Sequence, residues 1–281
     1  MTSSLDLSAQ HPSRAVGSLL FVGNATVLLR LGSFTVLTDP NFLHRGERAY
    51  LGYGLSSRRL VDPAISLDSL PPLDAVVLSH LHGDHFDRRA KKGLDRAVPI
   101  VTTRHAARRL GRWGFRAAEG LRQWTSWEAR RGTEVLRVSS VPGQHGPEVV
   151  HRLLPPVMGS IVDLERDGRR VFRLYVTGDT LCRPWLGEIA ERYPGIDAAL
   201  VHLGGTRILG VLLTMDEHQG ADLVEMIGPS IVYPIHNDDY PVQKTPRRAF
   251  LEETSRRRIG GVRPVERGET VTLSSAVSDA L

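Results

Sequence analysis

The segment Asp74-Ala-Val-Val-Leu-Ser-His-Leu-His-Gly-Asp-His-Phe-Asp87 decides how the rest of the chain is interpreted. It begins with a short, β-branched apolar run after Pro71-Pro72, a pattern typical of a buried strand. Four side chains able to bind metals follow this strand directly: His80, His82, Asp84 and His85. Three of the chain's 11 histidines lie in this short stretch. A metal site therefore explains the stretch better than a polar surface loop does.

The spacing of these four side chains predicts two neighbouring metal positions. Residues two apart in an extended segment point the same way, so His80 and His82 can hold one ion. Gly83 would then turn the chain, since glycine tolerates positive φ, and would direct Asp84 and His85 towards a second ion. Imidazole with carboxylate is the ligand set of zinc, and manganese or iron accepts it as well.

The pattern His-x-His-x-Asp-His from His80 to His85 resembles, without substitution, the signature of the metallo-β-lactamase superfamily. The resemblance implies an α/β (α+β) fold class, the αββα metallo-β-lactamase sandwich. Two mixed β-sheets would be flanked by helices and would carry a dinuclear metal site at one edge. It also implies a lone His, a bridging Asp and a final His further along the chain.

Three downstream residues meet that expectation, and each follows a predicted strand. They are His145 in Pro142-Gly-Gln-His-Gly, Asp179 in Thr177-Gly-Asp-Thr, and His236 in Pro234-Ile-His. The superfamily pattern assigns His80, His82 and His145 to one ion and Asp84, His85 and His236 to the other, with Asp179 bridging both.

The opening of the chain resembles one branch of the superfamily. Gly23-Asn-Ala-Thr-Val-Leu-Leu29 and Thr38-Asp39-Pro40 are similar to segments of the ascorbate-phosphate lactonase-like and N-acylphosphatidylethanolamine phospholipase D-like proteins. Asn24 stands where that branch usually carries His. Asp39 either fixes the tautomer of a ligand histidine or is a turn residue that ends a strand. His202, near the end of a predicted core strand, is expected to play a structural or supporting role.

Composition describes an ordinary soluble protein. The chain has 281 residues, of which 24% are charged and 41% hydrophobic. We expect a loose leader at residues 1–15 and a single hydrolase domain at residues 16–281. A single Cys excludes a disulfide framework. No apolar run approaches the length of a membrane span and the N-terminus lacks a signal-peptide pattern. These features predict a cytoplasmic protein without a membrane span, and they leave the oligomeric state open.

The net charge of +5 raises the question of a nucleic-acid surface. The basic residues are nearly all Arg, and they are scattered in pairs such as Arg58-Arg59 and Arg130-Arg131. Scattered pairs are typical of solvated helix faces and turns, so nucleic acid is not an expected partner.

The sequence as a whole predicts a hydrolase that uses two divalent ions, zinc first, and a metal-bound hydroxide. The expected substrate is a small ester, a lactone in the first place. Asp84 would orient the hydroxide and accept its proton. A phosphodiesterase acting on a phospholipid-like or nucleotide substrate is one alternative, and a non-catalytic metal-binding sensor or interaction protein is another. The candidates for substrate binding, all in loops, are Arg207, Asp238, Tyr240 and Lys244.

Two further segments carry expectations. Residues 41–68 form a long Arg-, Gly- and Tyr-rich stretch with weak periodicity, which favours a functional lid or binding loop. Gly120 to Trp127 is predicted to be a single strand.

Overall fold

A computed structural model describes residues 15–275 of the chain. The strands are β1 (Ala15–Gly23), β2 (Thr26–Leu31), β3 (Phe34–Thr38), β4 (Arg48–Gly52), β5 (Leu55–Arg58), β6 (Ala75–Val77), β7 (Ile100–Thr103), β8 (Ala118–Leu121), β9 (Ser126–Arg131), β10 (Glu134–Val141), β11 (Gly159–Arg166), β12 (Arg169–Val176), β13 (Ala198–His202), β14 (Arg207–Ile208), β15 (Val211–Leu212), β16 (Ile231–Ile235) and β17 (Thr270–Ser274). The helices are α1 (Arg88–Gly93), α2 (Arg104–Arg112), α3 (Glu148–His151), α4 (Gly187–Arg192), α5 (Glu217–Ile227) and α6 (Arg247–Arg256).

Two large mixed sheets dominate the fold. The first has the strand order β17-β1-β2-β3-β6-β7-β8 and the second the order β16-β13-β12-β11-β10-β9. In each sheet a meander of antiparallel strands continues into parallel strands, such as β3-β6-β7 and β12-β13-β16. Two short hairpins, β4-β5 and β14-β15, stand apart from both sheets.

The hydrophobic core forms three layers, which makes the architecture αββα. The central layer lies between the sheets and joins side chains such as Leu29 of β2 and Leu174 of β12. A second layer packs α4, α5 and α6 on the outer face of the second sheet. A third layer packs α1 and α2 on the outer face of the first sheet. The predicted fold class is confirmed.

The carboxyl ends of several strands meet at one edge of this sandwich. β10 and β12 are both antiparallel to β11, so they run in the same direction as β13 and β16. β6 is buried along its whole length, as expected of a parallel strand covered on both faces. The loops that follow these strands carry the candidate metal ligands to a common edge.

Three local features concern the start of α1, the N-terminal residues and the question of a membrane span. Asp87 caps α1, because its carboxylate accepts hydrogen bonds from the backbone N–H groups of Arg89 and Ala90. The leader expected at residues 1–15 lies outside the described residues, apart from Ala15, where β1 begins. No helix in the described part of the chain has the length and apolar character needed to span a bilayer.

The prediction of one strand from Gly120 to Trp127 was wrong. β8 belongs to the first sheet and β9 to the second, and the chain crosses between the sheets within this segment. Trp124 lies at the crossing with a positive φ of 65°. A continuous strand is impossible there, since one strand cannot pair with both stacked sheets through such a turn.

Residues 41–68 contain the hairpin β4-β5 rather than an irregular loop, and this hairpin packs on the metal-binding segment. The backbone N–H of Gly83 donates to the carbonyl of Tyr50 at 2.9 Å. A Cβ at position 83 would lie only 2.6 Å from the backbone N and O of Tyr50. Gly83 does not adopt the positive φ expected from the sequence. Glycine is required there by the close approach of β4.

A buried ionic network anchors the loop after β16 to the turn between β1 and β2. Asp239 and Arg59 are fully buried and pair at 3.4 Å. Arg267 donates to both carboxylate oxygens of Asp239, at 2.8 and 2.9 Å. The backbone N–H of Asn24 donates to Asp239 Oδ2 at 2.8 Å. The carboxylate thus joins three segments that are far apart in sequence.

We expect Asp239→Ala to lower the free energy of unfolding by about 3–5 kcal/mol, because it leaves the Arg59 guanidinium buried without its carboxylate. Urea unfolding followed by circular dichroism measures this change. Asp238→Asn is the matched control, since Asp238 is exposed, accepts one backbone hydrogen bond from Arg247, and has a positive φ of 63° that Asn tolerates. Equal stability of the two variants would contradict the structural role of Asp239.

Candidate metal centre

Seven side chains converge at the common edge of the two sheets, and all are buried. They are His80, His82, Asp84, His85, His145, Asp179 and His236. Their nitrogen and oxygen atoms form three overlapping groups, each compact enough to hold one ion: His80–His82–His145, His80–His85–Asp179 and Asp84–His85–His236. The seven residues that the sequence predicts as metal ligands therefore lie close together in space.

The first group consists of three histidines. His80 Nε2 lies 3.1 Å from His82 Nδ1. Two ligand nitrogens on one tetrahedral zinc ion would be separated by roughly 3.3 Å, so the spacing suits a shared ion. His145 Nδ1 donates to the carbonyl of Leu213 at 3.0 Å, which leaves Nε2 with a lone pair facing the other two rings.

The group Asp84–His85–His236 combines two histidines with a carboxylate. His236 Nε2 and His85 Nε2 lie 3.5 and 3.8 Å from Asp84 Oδ2. Asp179 Oδ2 lies 3.3 Å from His85 Nε2 and 4.0 Å from both His80 Nε2 and His145 Nε2. The Oδ2 atom of Asp179 thus faces His85 of this group as well as His80 and His145 of the three-histidine group.

The donor atoms of this cluster fit divalent metal ions. His85 Nε2 and His236 Nε2 are buried without a hydrogen-bond partner, and so are Asp84 Oδ1 and Asp179 Oδ1. His82 Nε2 is unpaired as well, although the other nitrogen of this ring, Nδ1, is the one close to His80. Buried polar atoms normally have partners, and leaving five unpaired in one small volume would be costly. All five of these residues also belong to groups of ligand spacing. Imidazole and carboxylate are the donors that zinc, manganese and iron share.

The electrostatics of the cluster also match a cation site. Burial raises the pKa of Asp84, but the neighbouring His85 and His236 outweigh it and lower the pKa to about 2. Burial likewise raises the pKa of Asp179, and His236 and His85 again outweigh it and hold the pKa well below its usual range. Burial lowers the pKa of His82 to about 3. Burial lowers the pKa of His85 and of His236, but Asp179 and Asp84 outweigh it and raise both pKa values. The carboxylates therefore stay anionic and attract positive charge to the cluster, as a cation site requires.

Asp39 contacts the ring nitrogen of His85 that faces away from the cluster, so it is more than a turn residue. Its Oδ2 lies 3.1 Å from His85 Nδ1, which directs the other ring nitrogen of His85 towards the cluster. Its carboxylate also accepts from the backbone N–H and the hydroxyl of Ser79, at 2.7 and 2.9 Å. His202 Nε2 lies 3.3 Å from the same carboxylate. His202 is thus a supporting residue, as its place at a strand end indicated.

Asn24 is a supporting residue whose role the sequence left open. Its side-chain amide donates to the backbone carbonyl of Asp84 at 2.8 Å. Its backbone carbonyl accepts from the backbone N–H of His236, also at 2.8 Å. Gln243 donates to its side-chain oxygen at 2.8 Å. Asn24 thus holds two ligand-bearing loops together without being a ligand itself. His236 has a positive φ of 61°, a conformation that surrounding contacts must stabilise.

A narrow cavity of about 20 Å³ lies over the cluster, enough for roughly one water molecule. Its wall contains His82, Asp84, His145 and Asp179. The rest of its described lining is aliphatic except for Thr206: Leu51, Leu154, Ile208, Leu213 and Val242. Sequence patterns did not single these residues out, because they come from the two hairpins and from irregular segments.

The four residues proposed for substrate binding are not among those that line this cavity. Arg207 is exposed and pairs with Asp216 at 3.6 Å. Asp238 and Lys244 are exposed. Tyr240 is buried, and its hydroxyl donates to Asn41 Oδ1 at 2.9 Å. Substrate contact by these four residues stays a prediction.

Comparisons with known proteins agree with this geometry. The profile of the Lactamase_B_2 family, a β-lactamase superfamily domain, matches residues 35–237. A UPF0173 metal-dependent hydrolase of Deinococcus radiodurans is 26% identical over 255 residues, which cover 90% of this chain and 97% of the relative. The UPF0173 protein YddR of Bacillus subtilis is 27% identical over 224 residues, 76% of this chain and 78% of the relative.

Solved structures are similar in fold. A possible metal-dependent hydrolase from Veillonella parvula superposes with a TM-score of 0.76 at 23% identity, covering 92% of this chain and 100% of that one. An isothiocyanate hydrolase from Delia radicum gut bacteria gives the same TM-score and coverage at 19% identity.

The αββα sandwich carries a buried His/Asp cluster at its edge, an arrangement typical of metal-dependent enzymes. The profile match spans more than half of the sequence. This chain belongs to the metallo-β-lactamase superfamily and is a metal-dependent hydrolase of that superfamily.

We expect Asn24→Ala to weaken metal binding by about 10–100-fold, the usual effect of removing a residue that orients ligands. The variant loses the hydrogen bond to the Asp84 carbonyl, so the loop that carries Asp84 and His85 becomes less ordered. Competition with a chromogenic zinc chelator measures the affinity. Gln123→Ala, at an exposed amide, is the control. Wild-type affinity in Asn24→Ala would show that the loops hold their geometry without this bond.

Proposed function

We propose that the protein is a dinuclear hydrolase, with zinc as the first candidate metal and manganese or iron as alternatives. The observation that carries the proposal is the pair of ligand groups joined by one carboxylate oxygen of Asp179. His80, His82 and His145 would hold one ion, and Asp84, His85 and His236 the other. Asp179 would bridge them. The unpaired donor atoms of both groups support this division.

Two bound ions would lower the pKa of a shared water molecule to about 7 and polarise the oxygen of the bond to be cleaved. The chain's own residues would supply the rest of the chemistry. Asp84 has one oxygen facing His236 and His85 and a second oxygen, Oδ1, without a partner. Oδ1 would therefore orient the attacking water and accept its proton. The aliphatic wall of the cavity would exclude other water molecules.

A small neutral ester, a lactone in the first place, is the substrate class that this cavity suits best. Among the described residues that line it, none is Lys or Arg, and most are aliphatic. A phosphodiester carries a negative charge that the two ions would meet in part, but the described lining offers no Arg or Lys to complete the contact. A cyclic ester is neutral, so it would lose little solvation beside aliphatic side chains. Since the cavity holds only about one water molecule, the aliphatic side chains that line it would have to move apart to admit the ring. Membership of the lactonase-like branch remains a prediction from the segments at Gly23–Leu29 and Thr38–Pro40.

Metal content tests the dinuclear site. We expect roughly two ions per chain in protein purified without chelator, because two ligand groups are present. Asp179→Ala and His85→Ala should each lower that content, since Asp179 would contact both ions and His85 would hold one of them. Elemental analysis by mass spectrometry measures it. His218→Ala, at an exposed histidine, should retain the full content. One ion or none in the wild type would contradict the proposal.

Substrate preference tests the reaction. We expect kcat/KM for an aliphatic γ-lactone to exceed that for bis(p-nitrophenyl) phosphate by at least tenfold, an effect of about 1.4 kcal/mol in the transition state. Asp84→Asn should lower kcat on the lactone by about 10²–10⁴-fold through loss of the proton acceptor.

Two other outcomes would favour the alternative functions. Faster cleavage of the phosphodiester would make the protein a phosphodiesterase. Fully loaded protein that cleaves neither substrate, nor any member of a broad ester panel, would support a metal-binding sensor or interaction protein.

A further inference from the structure

A second and much larger cavity lies on the other side of the metal-binding segment. Its volume is about 330 Å³, at the lower end of the range for small-molecule sites. It is enclosed by the hairpin strand β4, the metal-binding segment and the helices α1 and α2. His82 lines both this cavity and the narrow one over the metal cluster. The two cavities are therefore neighbours that share His82 and otherwise have different linings.

One wall of the larger cavity is apolar and aromatic. It is formed by Leu43, Tyr50, Leu81, Phe86, Trp113 and Pro155. The rings of Phe86 and Trp113 stack with centroids 6.3 Å apart. This wall suits the hydrocarbon or aromatic body of a ligand, since such a body gains free energy when it leaves water.

Cationic side chains belong to the same lining. Arg48, Lys91 and Arg109 line the cavity, and no carboxylate of the described residues forms an ion pair with any of them. Lys91 Nζ and the Arg109 guanidinium carbon lie 3.9 and 5.4 Å from the ring centroid of Trp113. Positive charge and an aromatic surface therefore occur side by side.

The other charged groups near the cavity are already paired. Arg88 and Arg89 share the carboxylate of Glu47, at 2.5 and 2.7 Å. Asp87 also lines the cavity, but its carboxylate is buried and accepts from the backbone N–H groups of Leu43 and Ala90, at 2.7 and 2.8 Å. The charge that the cavity offers to a ligand is therefore positive.

We propose that this cavity is a binding site for an amphipathic anion, in which an apolar body contacts Trp113 and its acidic group contacts Lys91 and Arg109. The acidic group is a carboxylate or a phosphate, since guanidinium and ammonium groups bind both. The described lining of the cavity over the metal cluster has no Lys or Arg, so the two cavities differ in the ligands that their side chains favour. The proposal does not depend on which ester the metal centre cleaves.

Calorimetric titration of the metal-loaded protein with octanoate tests the site. We expect saturable binding that weakens as NaCl is raised, because salt screens the contact with the cations. The double variant Lys91→Gln/Arg109→Gln should bind at least about tenfold more weakly, as expected when charged hydrogen bonds are lost. The matched control Lys92→Gln/Arg108→Gln removes the same charges from exposed positions of the same two helices and should bind like the wild type.

Two further probes define the ligand chemistry. Neutral 1-octanol should bind at least about tenfold more weakly than octanoate, since it lacks the charge that Lys91 and Arg109 would meet. Octyl phosphate separates the two anion classes, and tighter binding of either anion over octanol supports the site. Octanoate should also change the tryptophan fluorescence of the wild type but not that of Trp113→Phe, because the ligand contacts this ring.

Either of two results would overturn the proposal. Equal affinity of the Lys91→Gln/Arg109→Gln variant and its control would place the bound octanoate elsewhere, for instance at the metal centre. Equal affinity for octanol and octanoate would show that the cavity does not recognise charge.

Discussion

Seven buried His and Asp side chains at one edge of the sandwich impose the constraint on which the rest of the structure depends. Burying carboxylates and imidazoles without partners costs several kcal/mol per group, so the fold must either pair them or hold cations among them. The strands bring these side chains together, because β6, β10, β12 and β16 end at the same edge. Residues just beyond those ends converge although they are far apart in sequence.

A ring of supporting contacts then fixes the orientation of each ligand. Asp39 orients His85, and the carbonyls of Leu213 and Leu203 do the same for His145 and His236 through their Nδ1 atoms. Asn24 ties the loop of Asp84 to that of His236, and Asp239 anchors the segment around Asn24. Each contact leaves a metal-facing atom free, which explains why the unpaired atoms are concentrated at the cluster.

His82 lies at the boundary between two chemically different spaces. The space over the cluster is small and aliphatic, whereas the space beyond the metal-binding segment is larger, aromatic and cationic. The backbone of β4 rests directly on Gly83 between them, and no larger residue fits there. The hairpin β4-β5 therefore shapes both spaces at once, and its fixed position keeps their linings distinct.

The sequence by itself determined the superfamily, the fold class and the set of seven candidate ligands, because residues 80–85 form a local pattern and the other three follow predicted strands. The tertiary structure alone decided the roles of Asn24 and Asp239, the reason for Gly83 and the linings of both cavities. These features rest on contacts between distant segments, such as Asn24 with Asp84 and Gly83 with Tyr50. The crossing between the sheets near Trp124 was missed for the same reason, since local propensity does not record which sheet a strand joins.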